Sequence, residues 1–288
     1  CRGHHPLQKR MKKLVALFIF VLGITLFQSC DDIKTSKASV DAFESLYPGT
    51  KVKNWTTKED YEIASFKRQH HSADAWFDKN GWVLTITRLP LDALPASISD
   101  SFRHTTYADS TWEVTAVRVL ERKNRETINI ITVERNKVTY ALIYNTDGLL
   151  VMKDDITDIK NDTLKVVPQP VPSKIQTLMK KRYPSAQFYE IEYEPTLIKL
   201  YIAEQQVAKQ VIFSTSEDWL YTTWDVEESA LPQKVRSVLN QKPTKGWTIE
   251  EIKFIESKSE QFYNIELRNE EEFQAVSIDS NGNILKKK

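Results

Sequence analysis

The strongest constraint on this chain is an internal duplication. Tyr47-Pro48 returns as Tyr183-Pro184, Leu94-Pro95 as Leu231-Pro232, Trp112 as Trp247, and the turn Asp147-Gly148 as Asn281-Gly282, in the same order and at offsets of 136, 137, 135 and 134 residues. Landmarks that keep so even a spacing mark one structural unit written twice. The chain must therefore fold as two similar halves, each able to close its own core. Its 288 residues, less an N-terminal export segment, suffice for two domains of ordinary size. Because the sequence has only two cysteines, Cys1 and Cys30, apolar packing rather than disulfides has to hold each half together.

Each copy also repeats internally. An apolar residue, a proline and then a β-branched residue three positions on occur at Leu94-Pro95-Ala96-Ser97-Ile98, Val171-Pro172-Ser173-Lys174-Ile175 and Leu231-Pro232-Gln233-Lys234-Val235. Proline suits the first helical turn, where its missing N–H costs nothing, so these are helix starts. Apolar residues follow at helical spacing: Ile175, Leu178, Met179 and Tyr183 in one, Val235, Val238 and Leu239 in another. The first copy opens likewise with Val40, Phe43, Leu46 and Tyr47, and Pro48 or Pro184 ends the helix. Between helices the period falls to two, as in Val138, Tyr140, Leu142 and Tyr144, in Ile198, Leu200 and Ile202, and in Tyr263, Ile265 and Leu267, which marks half-buried antiparallel strands. Asn80-Gly81, Asp147-Gly148 and Asn281-Gly282 supply hairpin turns. The expected fold is α+β, a helix followed by an antiparallel β-meander in tandem repeats. Domains are expected at 37–156 and 171–288, with the proline-rich stretch 157–170 as linker.

The N-terminus carries an address. Lys12 and Lys13 follow Met11, the expected start, and precede an uncharged apolar run from Leu14 to Phe27, too short for a typical membrane span. Residues 1–10, with Cys1, His4 and His5, read as translated upstream sequence and take no part in function. The run ends in Leu26-Phe27-Gln28-Ser29-Cys30, which resembles the lipobox of bacterial lipoproteins, although Phe27 and Gln28 depart from its commonest form. On this reading 1–29 are removed, Cys30 is the lipid-attachment residue, and 30–36 form a tether. Several acyl chains would hold the protein at a membrane durably. The first 29 residues hold five bases and no acid. Their loss leaves 35 Lys and Arg against 39 Asp and Glu, and a formal +1 becomes about −4. That charge lacks the strong basic field that nucleic-acid binding requires, so no nucleic-acid partner is expected.

Catalytic constellations are hard to assemble from what remains. His70, His71 and His104 are the histidines left after cleavage, and the first two fall in a polar stretch read as a solvated hairpin loop. Neighbouring strand residues point to opposite faces, so a zinc site is not expected, nor any other metal or cofactor. The glycines are too scattered to cradle a phosphate, and neither Gly-x-Ser-x-Gly nor His-Glu-x-x-His is present. Carboxylate runs such as Asp154-Asp155, Glu227-Glu228 and Glu270-Glu271-Glu272 read as solvated surface. The expectation is a protein that is not an enzyme and has no catalytic residues.

A helix ending in Tyr-Pro, an aromatic strand, then Ala75-Trp76-Phe77-Asp78-Lys79-Asn80-Gly81-Trp82, then Leu94-Pro95 opening the next helix, together resemble the PepSY-like, β-lactamase-inhibitor-like domains of Bacteroidetes envelope lipoproteins. The resemblance spans 37–150 and, more weakly, 171–285, where the Trp-Phe-Asp element has drifted to Val211-Ile212-Phe213-Ser214-Thr215-Ser216-Glu217-Asp218-Trp219. It implies two such domains, helices packed on one face of antiparallel sheets, and a non-catalytic binding or inhibitory role with no catalytic residues to carry over. The other sheet face is then free for recognition. Alternation would set Trp219 and Tyr221 on one face, while Trp76 and Trp82 flank the Asn80-Gly81 turn. These four are the candidate binding patch for an unidentified envelope protein or glycan, set against a core role for the tryptophans. The expected location is the outer membrane, with Asp31-Asp32 beside the anchor. The alternatives are a structural or stress-related spacer and an uncharacterised envelope hydrolase.

Overall fold

The computed structural model describes residues 35–158, 166–241, 245–270 and 272–285; Cys30 and the tail Lys286-Lys287-Lys288 lie outside them. In the first copy helix α1 (Lys37–Leu46) precedes strands β1 (Val52–Lys58), β2 (Tyr61–Arg68), β3 (His71–Asp78) and β4 (Gly81–Leu89). Helix α2 (Ala96–Arg103) then precedes β5 (Glu113–Arg122), β6 (Ile128–Arg135), β7 (Val138–Tyr144) and β8 (Leu150–Asp155). The second copy repeats this with α3 (Ser173–Arg182), β9 (Gln187–Tyr193), β10 (Leu197–Glu204), β11 (Val207–Ser214) and β12 (Trp219–Asp225), followed by α4 (Gln233–Leu239), β13 (Thr248–Ser257), β14 (Gln261–Asn269) and β15 (Glu272–Ile278).

This architecture corrects the expected α+β class. The strands form two antiparallel sheets, one running β1 to β8 in sequence order and the other β9 to β15. β4 pairs directly with β5, with Leu84 opposite Arg122, and β12 pairs with β13, with Trp224 opposite Phe254. The meander therefore does not stop at the second helix of a copy. Each copy is one continuous sheet with two short helices laid on it, a mostly β protein rather than a series of separate helix-then-meander units. The reason is hydrogen bonding: ending the sheet at β4 would expose a row of unpaired backbone groups, which β5 satisfies instead.

The helices are anchors more than layers. Helix α1 is capped by Ser36, whose Oγ accepts the Ser39 N–H at 3.3 Å. Ser36 also donates from N and Oγ to the Glu62 carboxylate at 2.8 and 2.6 Å, which ties the helix start to β2. Phe43 of α1 packs on Ala64, Phe66, Ala75 and Phe77, and Ile98 and Phe102 of α2 pack on Val117, Ile131 and Leu142. Ile175 and Val235 repeat these roles in the second copy. The β7–β8 turn tucks under α2 at Gly148, whose φ is +89° and where a Cβ would stand 2.5 Å from the Ser97 carbonyl oxygen. Glycine is required there on both counts.

The sheet face away from the helices carries the junction between copies. Leu84, Leu120, Ile128, Ile130 and Ile143 of the first copy enclose Tyr189 and Ala203 of the second. Val166, in the stretch read as linker, is buried among them. Arg122, its side chain 1% exposed, pairs with the Glu190 carboxylate and donates to the Tyr189 carbonyl oxygen at 2.7 Å. The Glu126 N–H donates to the Phe188 carbonyl oxygen at 3.1 Å.

Candidate binding groove

The four aromatic residues picked out by sequence do not share one surface. Within β4 a bulge at Val83 places Trp82 opposite Phe77, while Leu84 lies opposite Trp76. Trp82 thus joins the cluster under α1, and Trp76 lies on the other face, 5.7 Å from Tyr61. The same bulge recurs at Leu220, with Trp219 opposite Phe213 and Tyr221 opposite Ile212. Trp219 is 6% exposed and packs toward α3, whereas Tyr221 is half-buried on the opposite face. The expected alternation of Trp219 and Tyr221 fails because a bulge adds a residue and reverses every side chain beyond it.

What Trp82 and Trp219 do is visible in their hydrogen bonds. Trp82 Nε1 donates to Thr85 Oγ1 at 2.9 Å, and the same oxygen bonds the Tyr47 hydroxyl at 2.7 Å. In the second copy Trp219 Nε1 donates to Thr222 Oγ1 at 3.1 Å, and Tyr183 bonds that oxygen at 2.7 Å. Each triad joins the residue that caps the end of the first helix to the middle of the fourth strand. The Tyr-Pro landmark of the sequence is therefore a fixed point of the fold.

The triads align the copies residue by residue and reveal a difference between them. In the first copy Thr85 lies opposite Glu121, Thr87 opposite Val119, and Val119 opposite Asn129. In the second, Thr222 lies opposite Glu256, Trp224 opposite Phe254, and Phe254 opposite Tyr263. Thr87, Val119 and Asn129 are thus replaced by Trp224, Phe254 and Tyr263, whose rings contact in series, tilted and then edge to face, at 4.8 and 4.9 Å between centroids. Ala73, beside Thr87 on β3, is matched by Lys209, which lies 4.8 Å from the Trp224 ring and 2.8 Å from Glu204. These groups put bulk on the second sheet where the first has Ala73, Thr87, Val119 and Asn129.

The corresponding space between α1 and α2 is open. It forms a groove of about 320 Å³ with Thr87, Val119 and Asn129 on its floor, Leu89 and Pro95 toward α2, and Arg68, His71 and Glu121 toward α1. Arg68 pairs with Glu121 and lies 5.8 Å from the Tyr47 ring. Thr87 is 6% exposed, and its Oγ1 is buried without a hydrogen-bond partner. An unpaired buried hydroxyl costs roughly 1–3 kcal/mol, so a hydrogen-bond partner brought to Thr87 Oγ1 would be favourable. His71, placed in a solvated loop by sequence, is the first residue of β3 at the groove wall, and His70 occupies a two-residue turn at φ 71°. His104 is at the end of α2 with Nδ1 2.7 Å from the Asp100 carbonyl oxygen. Among the described residues no cluster of three or more His, Cys, Asp or Glu side chains could hold a metal ion. Sequence reading missed the groove because Thr87 and Asn129 carry no motif. Setting the copies in register at the landmark offsets would have exposed the exchange for Trp224 and Tyr263.

The chain belongs to the PepSY-like family: the family model, described as beta-lactamase-inhibitor-like and PepSY-like, matches residues 59–151, 156–206 and 199–286. Among solved structures the chain is similar to a BLIP-like protein from Bacteroides fragilis, at 30% identity over 46% of this chain and 96% of that one, with a TM-score of 0.42. It is also similar to a DUF2874 family protein from Bacteroides ovatus, at 25% identity over 44% and 92% of the two chains and a TM-score of 0.41. No curated protein matches it.

Proposed function

We propose that the chain is a non-catalytic binding module of the cell envelope, lipid-anchored at Cys30 on the outer membrane, which presents the groove of its first copy to a protein or glycan partner. The contrast between the copies carries this reading. The second copy carries three rings in mutual contact at these positions, yet the first keeps small and polar residues there and leaves Thr87 Oγ1 unpartnered. A partner hydroxyl, amide or carboxamide entering the groove would displace water from Val119 and Leu89, and rotation of the Thr87 side chain would bring its buried oxygen to that group. The family's likeness to a β-lactamase inhibitor supports a role in binding protein. The basic segment, apolar run and lipobox-like end at Cys30 support the anchor.

The test is to close the groove as the second copy does. Thr87→Trp should leave the fold intact by circular dichroism and abolish capture of partners that the wild-type chain retains from envelope extracts at micromolar bait. Identical partners on both baits, or none on the wild type, would overturn the reading. For the anchor, feeding cells an alkynyl fatty acid should label the wild-type protein and leave Cys30→Ala unlabelled.

A further inference from the structure

Beneath α3 the second copy holds a different, open-mouthed cavity of about 530 Å³, lined by Met179, Phe188, Leu200 and Ile202 and bordered by Pro170 and the Asn124-Arg125 turn of the first copy. This volume lies within the range of small-molecule sites. In the first copy the matching space is filled. Strand register sets Trp55 against Ala64 where the second copy has Ile191 against Leu200, and Phe66 where it has Ile202. Phe43 stands in the helix where Met179 does, packed 5.0 Å from Phe66 and 6.0 Å from Trp55. Exchanging rings for flexible side chains opens the space, with an apolar side at Met179, Phe188, Leu200 and Ile202 and a polar side at Asn124, Arg125, Gln176 and Lys180.

One half-buried cation faces it. The Arg125 guanidinium lies 4.1 Å from the Phe188 ring, and its hydrogen-bond acceptors are carbonyl oxygens, those of Asn124 at 3.0 Å and of Gln169. Its Nε is buried without a partner. Partial burial, with the Arg122 charge nearby, lowers its pKa from the ordinary arginine value despite the opposing pull of Glu190. Lys180 adds a second positive charge at the rim. A partly desolvated guanidinium gains most from a planar oxyanion, while the apolar side of the pocket gains most from a hydrocarbon.

We propose that this cavity binds a small amphipathic carboxylate, its apolar tail against Met179, Leu200 and Ile202 and its carboxylate on Arg125. The site is separate from the groove of the first copy, so either assignment can fail without the other.

Decanoate is the probe and decanol its uncharged control, each titrated into the whole chain and followed by calorimetry and by the Met179 methyl signal in NMR. Decanoate should bind saturably and move that signal, and decanol should bind at least about tenfold more weakly, as loss of a charge-assisted hydrogen bond requires. Met179→Phe, which installs the ring of the first copy, should abolish binding while holding or raising the urea midpoint. Arg125→Gln should weaken decanoate about tenfold and leave decanol unchanged. The proposal is overturned if millimolar decanoate leaves the Met179 signal in place, if Met179→Phe binds as the wild type does, or if decanol binds as tightly as decanoate.

Discussion

Under α1, Phe43, Tyr47, Trp55, Phe66, Phe77 and Trp82 gather into one aromatic cluster and the space between the helices is open. In the second copy the rings lie between the helices, as Trp224, Phe254 and Tyr263, and the space beneath α3 is open. The strand register is the same in both. The backbone thus fixes where bulk can be placed, and a few side chains decide which of two positions is filled and which is left for something else. Two copies of one fold can in this way carry two unlike surfaces with no change in topology.

The largest expected effect comes from the filled position of the first copy. Phe43→Ala should destabilise the chain by about 3–5 kcal/mol in urea unfolding, because it removes the ring that the rest of the cluster contacts. Met179→Ala, at the edge of an existing cavity, should cost about 1–2 kcal/mol, near the bottom of the range for such truncations. Equal costs would break the comparison. A smaller effect of opposite sign is expected in the groove. Thr87→Val keeps the shape and removes the unpartnered hydroxyl, and should raise stability by about 1 kcal/mol. A loss instead would mean that Thr87 Oγ1 is satisfied in solution.

The smallest effect concerns how the first helix of each copy begins. Burial pushes the Glu62 carboxyl up, but hydrogen bonds from Ser36 and Ser39 outweigh it and hold its pKa below the usual 4.5. A depressed carboxylate contributes stability that is fully present above its unfolded pKa and is lost as pH falls through the folded one. Titration of Glu62 by NMR should therefore give a midpoint below 4.5 in the wild type, moving upward in Ser36→Ala. Helix α3 begins at Pro172 without a side-chain cap, so no matching step is expected from its start.

How much of this was legible in the sequence depends on distance along the chain. The duplication, the helices opened by proline and the Tyr-Pro stops are local patterns and could be read directly. The pairing of β4 with β5 could not, since it joins strands across an intervening helix, and reading each helix as the start of a new unit gave the wrong fold class. The bulges at Val83 and Leu220 leave no mark in composition, yet they decide which way Trp219 and Tyr221 point. The turns Gln69-His70 and Gln205-Gln206 take positive φ without glycine, so the hairpin signal was missing where two of the tightest turns occur. The groove was concealed for a related reason: its floor is drawn from three strands, and only register brings Thr87 and Asn129 together.

The junction at Arg122 also bears on how the chain can be taken apart. Separating the copies would leave the Arg122 guanidinium without Glu190 and the Tyr189 carbonyl, and would bare Tyr189 and Ala203 of the second copy to solvent. A fragment beginning at α3 would thus carry a greasy stripe and a stranded carboxylate along β9, and would tend to self-associate. The repeat visible in the sequence is a unit of inheritance, but the packed body in this chain is the pair.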